Sequence, residues 1–247
     1  MGYIRDIKGI VNKEGRTIKE NVLIRSASLD KPTDKQKDYL YSIGLKRIVD
    51  LRNIGEVQHD PDIEIPGCKY FNISLIDSDL NGVVHAKGVE QLKMLENLPT
   101  IEETYADMIN DDYSVSQIRK ALREIVLNDE FPIVVHCVTG KDRAGTLTAL
   151  LLTLLDVDYK YIIEDYLKQR KMYLKTARKY FILALLGSKG NLKLAMKAND
   201  YYEVKKKYID IVFDTINRKF GSVEKFFKEY VGINDVDKEN FKNRILI

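Results

Sequence analysis

The stretch that most constrains the fold runs from Phe131 to Asp156, FPIVVHCVTGKDRAGTLTALLLTLLD. Its first six residues are short, apolar and β-branched, which predicts a buried strand. Its last fourteen, RAGTLTALLLTLLD, are too long for a strand and rich in Leu and Ala, which predicts a buried helix. A strand, a short loop and a helix in this order are the grammar of an α/β fold with a parallel sheet. The loop between them carries Cys137 and, six residues later, Arg143. It lies where the strand leaves the carboxyl edge of the sheet, the place where ligand crevices form in open α/β folds.

The rest of the chain fits that grammar. A short strand is expected at Val22 to Arg25. A helix follows with Thr33 as its N-cap, Tyr39, Leu40 and Ile43 on one face, and Gly44 as its stop. Lys46 to Arg52 and Cys68 to Ser74 read as further strands, and NIGEVQHDPDIEIPG between them reads as loop. Ile101 to Asn128 predicts two helices broken near NDDYS, the second with Val115, Ile118, Leu122, Ile125 and Val126 along one face. The C-terminal YIDIVFDTINRKFGSVEKFFKEYVG predicts two amphipathic helices separated at Gly221. No repeat, low-complexity tract or linker interrupts residues 1–247, so one domain with a helical elaboration is expected.

Charge sharpens this. The whole chain carries +3, too little to argue for nucleic acid. Residues 158–200 are helical by propensity and basic. From Lys160 to Asp200 there are ten Lys and Arg against three Asp and Glu, a balance of +7 that leaves −4 for the remainder. The segment reads either as solvated helices with one buried face or as a basic lid near an anionic substrate. Residues 201–247 supply the closing helices. Leu147 to Leu155, the longest apolar run, is far short of the roughly 20 residues a membrane span needs. The opening MGYIRDIKG lacks the apolar core of a signal peptide, which reads as cytoplasmic for the chain as given, or as secreted if a leader has been removed.

Two cysteines, Cys68 and Cys137, make no disulfide framework. Cys137 has three readings: a buried structural thiol, a metal ligand, or a nucleophile. Three histidines, His59, His85 and His136, show no metal-ligand spacing, which weighs against the second. The surroundings favour the third. A five-residue loop before a helix N-terminus turns several backbone N–H groups toward one anion. Gly140 eases the turn, and Arg143 presents a bidentate guanidinium to phosphate oxygens. Helix N-termini and adjacent cations also favour the thiolate form of a cysteine.

At these residues the chain resembles a known family. HCVTGKDRAG is similar to the phosphate-binding loop of cysteine-dependent protein tyrosine phosphatases, and its GKDR form resembles the atypical bacterial group that includes secreted tyrosine and lipid phosphatases of mycobacteria and Listeria. The likeness extends over most of the chain. YIRDIKG with NVLIRSASL, GLKRIVDLRNIGEVQHDPD, DVDYKYIIEDYL and FGSVEKFFKEYVGI follow in the family's order. It implies a cysteine-phosphatase fold with a mostly parallel central sheet flanked by helices, no cofactor and no metal. Cys137 would be the nucleophile of a phosphocysteine intermediate. Arg143 would bind phosphate and stabilise the transition state. Val138, Thr139, Gly140 and Lys141 would donate backbone amides, with Ala144 beside them at the phosphate site.

The proton donor is less direct. The family's usual Trp-Pro-Asp motif is absent, since the chain has no tryptophan. In the GKDR group the aspartate inside the loop, here Asp142, is a proposed general acid. A neighbouring arginine favours its ionised form, and a bound dianionic phosphate opposes that. Asp50 competes as acid or as a partner that orients the loop, and Asp62, Asp77 and Asp79 are further candidates. His136 is expected to order the loop. Lys141 is either a solvated loop lysine or a second cation that favours multiply charged substrates such as phosphoinositides. Cys68 is either a small buried residue or a partner for an oxidised Cys137.

Ala144 departs from the family, which usually has Thr or Ser after the arginine to donate to the cysteine sulfur. Thr146 falls on another face of the helix start. The expected function is therefore phosphomonoester hydrolysis, on phosphotyrosine proteins, phosphoinositides or both, with slow breakdown of the phosphoenzyme. The competing expectations are a catalytically weak phosphate-binding module and, further off, sulfur transfer or arsenate reduction.

Overall fold

The structure, a computed structural model, describes residues 3–76 and 94–247. Five strands form one sheet: β1 (Ile4–Asp6), β2 (Leu23–Ser26), β3 (Arg47–Asp50), β4 (Lys69–Asn72) and β5 (Ile133–His136). Their spatial order is β1-β2-β5-β3-β4, and every pairing is parallel except that of β1 with β2. The sheet is thus mostly parallel, as the strand-loop-helix grammar requires. β5 is the middle strand. Its last residue, His136, stands level with Ser26 of β2 and Asp50 of β3. Three strands therefore end at one height, and the loop after β5 leaves from the centre of the carboxyl edge.

Alternation along each strand sends neighbouring side chains to opposite faces. Leu23, Val49, Ile133 and Val135 face the larger core. Ile24, Ile48 and Val134 face a smaller one with Leu29, Leu40, Leu45 and Ile65. The smaller core is covered by α1 (Asp34–Ser42), which is capped as expected by Thr33 through a capping box with Gln36. The larger core is filled by α3 (Ile101–Asn110), α4 (Asp112–Val126) and α5 (Arg143–Leu154). α5 is buried on almost every side, which explains its unpatterned apolar sequence. The break between α3 and α4 falls at Asp111. Its carboxylate accepts from Ser114 N at 2.7 Å and so starts the second helix where the first stops.

Three elements differ from the sequence expectation. Ile54–His59 forms a helix, α2, inside the stretch read as loop. Asn53 caps it and Glu56 closes a capping box, so N-x-x-E was the signal available there. β1 is a three-residue edge strand, too short for a periodicity to register. Beyond Gly221, a short helical turn runs into π-helical Phe226–Val231, and a further helix, Asp235–Ile245, closes the chain.

The basic segment is helical, as expected. It comprises α6 (Tyr159–Leu167), α7 (Arg170–Gly187) and α8 (Leu192–Tyr202), and α9 (Lys206–Phe220) follows. α7 and α8 pack against each other as a hairpin, and Ala184, Leu194, Ala195 and Ala198 form a satellite core with Leu95. None of the helices among the described residues is long and apolar enough to cross a membrane.

Candidate active site

The loop from Cys137 to Asp142 is held from outside by its own carbonyl groups. Ser28 N donates to Val138 O at 3.1 Å, and the Tyr173 hydroxyl donates to Thr139 O at 2.6 Å. Gly140 O accepts from Arg25 Nε at 2.7 Å and from Gln169 Nε2 at 3.1 Å. Lys141 O accepts from Arg25 Nη2 at 3.1 Å and Gly145 N at 3.1 Å. In a trans peptide the carbonyl and the next residue's N–H point opposite ways. Four anchored carbonyls therefore turn the amides of Thr139, Gly140 and Asp142 to the opposite side, while the Lys141 amide donates to Thr139 Oγ1 at 3.4 Å. Backbone amides turned to one side of a short loop in this way can cradle an anion.

Gly140 is required by the fold. Its φ is +67°, and a Cβ there would meet Ser26 O at 2.5 Å. Arg25, the main clamp, is itself buried and stands 3.8 Å from the buried carboxylate of Asp165, which also pairs with Arg5 at 2.6 Å. Sequence reasoning assigned no role to Arg25, Gln169 or Asp165, because no local pattern joins them to their partners: Arg25 and Gln169 reach Gly140 from 115 and 29 residues away, and Asp165 reaches Arg5 from 160.

Cys137 follows β5 directly and is 1% exposed. Arg143 opens α5. Its guanidinium makes a bidentate bridge to Glu56, with Nη1 to Oε2 at 2.6 Å and Nη2 to Oε1 at 2.8 Å, and reaches Leu51 O at 3.4 Å. Burial opposes its charge, but the hydrogen bonds and charge of Glu56 outweigh that and hold it fully cationic. α2, the helix missed in the sequence, thus serves to present Glu56 to Arg143.

Asp50 sits at the end of β3 and is fully buried. It accepts from Arg52 Nε at 3.0 Å, Arg52 Nη2 at 2.8 Å and the Tyr70 hydroxyl at 2.6 Å. Asp62 pairs with Arg52 at 2.9 Å and accepts from Leu29 N at 2.8 Å. His136 Nε2 lies 2.9 Å from Asp62 and 3.7 Å from Asp50. Burial opposes the ionised Asp50 carboxyl, but His136 and Arg52 outweigh it and hold its pKa below the ordinary range. Burial likewise opposes the His136 imidazolium, yet the two carboxylates raise its pKa above the ordinary value. Asp50, Asp62 and His136 are close enough together to hold a metal ion. The Arg52 guanidinium already occupies both carboxylates, so the donor set suits an internal salt-bridge cluster better than a second cation.

Asp142 lies at the start of α5. Its carboxylate accepts from the Tyr105 hydroxyl at 2.6 Å and stands 3.3 Å from Lys141 Nζ. Tyr105 is in turn 2.5 Å from the Tyr166 hydroxyl, and both rings are buried. Burial, with the Asp142 charge, keeps the Tyr105 phenol protonated, so it is a permanent donor to Asp142. Lys141 is not a solvated loop lysine. It is 2% exposed, and its ammonium donates to Tyr201 O at 2.6 Å and Glu203 O at 3.3 Å, at the end of α8. The basic helical hairpin therefore touches the loop at two points, Tyr173 on α7 and the carbonyls at the end of α8.

Ala144 is buried. Thr146 Oγ1 is buried without a hydrogen-bond partner among the described residues, so it is not engaged in place of the missing hydroxyl. Cys68 stands before β4, at the amino edge of the sheet, whereas Cys137 follows β5 at the carboxyl edge. A four-residue strand separates those edges by about 13 Å, too far for a resolving thiol. Burial pushes the Cys68 thiol up to about 11, away from reactivity. His59 is a surface residue beside Asp60. Asp77, Asp79 and His85 lie outside the described residues.

A mostly parallel sheet with a cysteine loop at its central carboxyl edge, closed by an arginine at a helix N-terminus, defines the cysteine-phosphatase class of fold. The tyrosine phosphatase family matches residues 3–247. The chain belongs to that family, as a protein tyrosine phosphatase-like enzyme. It is 28% identical to a tyrosine-protein phosphatase of Nostoc commune over 60% of this chain and 48% of that protein, so it spans about half of that relative's length. It is 23% identical to the triple specificity protein phosphatase PtpB of Mycobacterium tuberculosis over 91% of this chain and 90% of that one. The solved catalytic core of the PP-IP phosphatase Siw14 from S. cerevisiae overlaps at a TM-score of 0.34, with 17% identity over 82% of this chain and 91% of the other.

Proposed function

We propose that residues 1–247 act as one phosphatase domain that hydrolyses phosphomonoesters through a phosphocysteine, on phosphotyrosine proteins, phosphoinositides or both. The observation that supports this reading is the anchoring of four loop carbonyls after Cys137, with Arg143 held in place by Glu56. In the first step the Cys137 thiolate attacks phosphorus and the ester P–O bond breaks. Asp142 protonates the departing oxygen. In the second step water attacks the phosphocysteine, its proton passes to Asp142, and Cys137 leaves as thiolate with release of inorganic phosphate. The amides and Arg143 stabilise the charge on the equatorial oxygens throughout, and no metal takes part.

Asp142 is favoured over Asp50 as the acid because the partners of Asp50 are all internal. A buried carboxylate locked by Arg52, Tyr70 and His136 serves to set the end of β3 and the ring of His136, and so to orient the loop. The triple specificity named for the mycobacterial relative supports a broad substrate range here. The decisive measurement is hydrolysis of p-nitrophenyl phosphate. Wild type should turn over, and Cys137→Ser should bring the rate to background. Comparison of kcat/KM on phosphotyrosine peptides, phosphoserine peptides and phosphoinositides then separates protein from lipid substrates.

A second reading, a weak phosphate-binding module, is favoured by one observation, the absence of an engaged hydroxyl at Ala144 and Thr146. A wild-type protein that binds vanadate or phosphate without measurable turnover would select it.

A further inference from the structure

Among the described residues, exposed large apolar side chains gather at the tip of the α7–α8 hairpin. Ile182, Leu183, Leu186, Leu192 and Met196 are between 48% and 73% exposed, and Leu186 is the most exposed of them. Ile182, Leu183 and Leu186 follow Lys175 and Lys179 on one face of α7, at intervals of three and four residues. One face of the helix is thus basic near its base and apolar near its end. The turn between the helices, Ser188 to Gly190, puts Lys189 at the apex.

The hairpin's own charged side chains are of one sign only. From Tyr166 to Asn199 the sequence has no Asp or Glu and nine Lys or Arg. Lys171, Lys175, Arg178, Lys179, Lys189 and Lys193 are exposed and make no ion pair among the described residues. A second copy of the chain would bring the same cations against these, so self-association through this face is opposed. An exposed apolar hairpin end whose own charged side chains are all cationic matches a bilayer with anionic headgroups, where the apolar side chains enter the headgroup–acyl boundary and the cations stay at the phosphates.

We propose that the α7–α8 tip is a membrane-surface anchor that inserts into anionic bilayers. Its base is bonded to the phosphate loop through Tyr173 and through Lys141. The helical rise from Tyr173 to Leu186 is about 20 Å, so an inserted tip holds the cradle within reach of lipid headgroups. The inference goes beyond the catalytic reading and does not depend on it, because vesicle binding is measured without turnover.

The chain has no tryptophan, so Leu186→Trp is a reporter free of background. Its emission should shift to the blue with vesicles of phosphatidylcholine containing a quarter phosphatidylserine, and stay unshifted with pure phosphatidylcholine. In flotation, wild type and Cys137→Ser should partition equally onto the anionic vesicles, which keeps the anchor distinct from activity. The pair Ile182→Glu and Leu186→Glu should lower partitioning at least about tenfold while p-nitrophenyl phosphate turnover stays at the wild-type rate. No blue shift, or partitioning retained by the double variant, overturns insertion. A wild type that is dimeric by light scattering and becomes monomeric in the double variant also overturns it, since a second copy would then cover the tip.

Discussion

At the scale of single residues, the loop letters Cys137, Gly140 and Arg143 were legible because each has a chemistry that few other residues share. Their supports were not. Glu56 stood inside a family-like stretch without a role until α2 brought it onto Arg143 at 2.6 Å. Tyr105 lies 37 residues before Asp142, and no local pattern links them. If Asp142 is the acid and Tyr105 positions it, Tyr105→Phe should matter most where the leaving group needs a proton. We expect kcat/KM to fall about tenfold on phenyl phosphate and to change little on p-nitrophenyl phosphate, whose leaving group is already a good one. Equal losses on both would mean that Tyr105 only stabilises the fold. Ala144 poses the opposite question, since it is an absence. Ala144→Ser restores a hydroxyl directly after Arg143 with one added atom. Steady-state turnover should rise and the pre-steady-state burst should shrink, and unchanged burst kinetics would count against slow phosphoenzyme hydrolysis as the limiting step.

At the scale of elements, the junction of β3 and β5 concentrates the titratable groups that shape stability. Asp50 has a pKa held below its unfolded value, so its contribution is present above about pH 4 and is lost as pH falls through the folded value. His136 has a pKa raised above its unfolded value. Its contribution is complete below about pH 6.5 and is lost as pH rises through the folded value. Both are present together between about pH 4 and pH 6.5. Thermal unfolding across pH should therefore show wild type losing Tm above pH 6.5 relative to His136→Gln, with the two curves running parallel between pH 5 and 6. Curves parallel over the whole range would show that His136 does not titrate with folding. Elements with strong local signals were legible here: the capped α1, the two halves of Ile101–Asn128, and the strand and helix that flank the loop. α2 was missed because six residues with a glycine in second place carry little propensity, and only its capping box marks it.

At the scale of the whole molecule, charge is divided between a basic segment and an acidic remainder, +7 against −4. The basic segment is bonded to the loop through Tyr173 and Lys141. Substrates with several phosphates should feel that field and lose it with salt. From 50 to 300 mM salt, kcat/KM on a bisphosphorylated inositol lipid headgroup should fall several times more than on p-nitrophenyl phosphate. A like decline on both would place the basic segment outside the electrostatic reach of the cradle.

The chain order of apolar and polar residues was enough to specify the mostly parallel sheet, the strand that delivers Cys137 and the helix that begins at Arg143, because periodicity and loop chemistry act between near neighbours. The close approach of Ser26 to Gly140, the clamp of Arg25 on two loop carbonyls, the grip of Glu56 on Arg143 and the burial of Lys141 against α8 were settled only by tertiary packing. Each joins residues that no periodicity connects, and each depends on three strands ending at one height in the middle of a sheet.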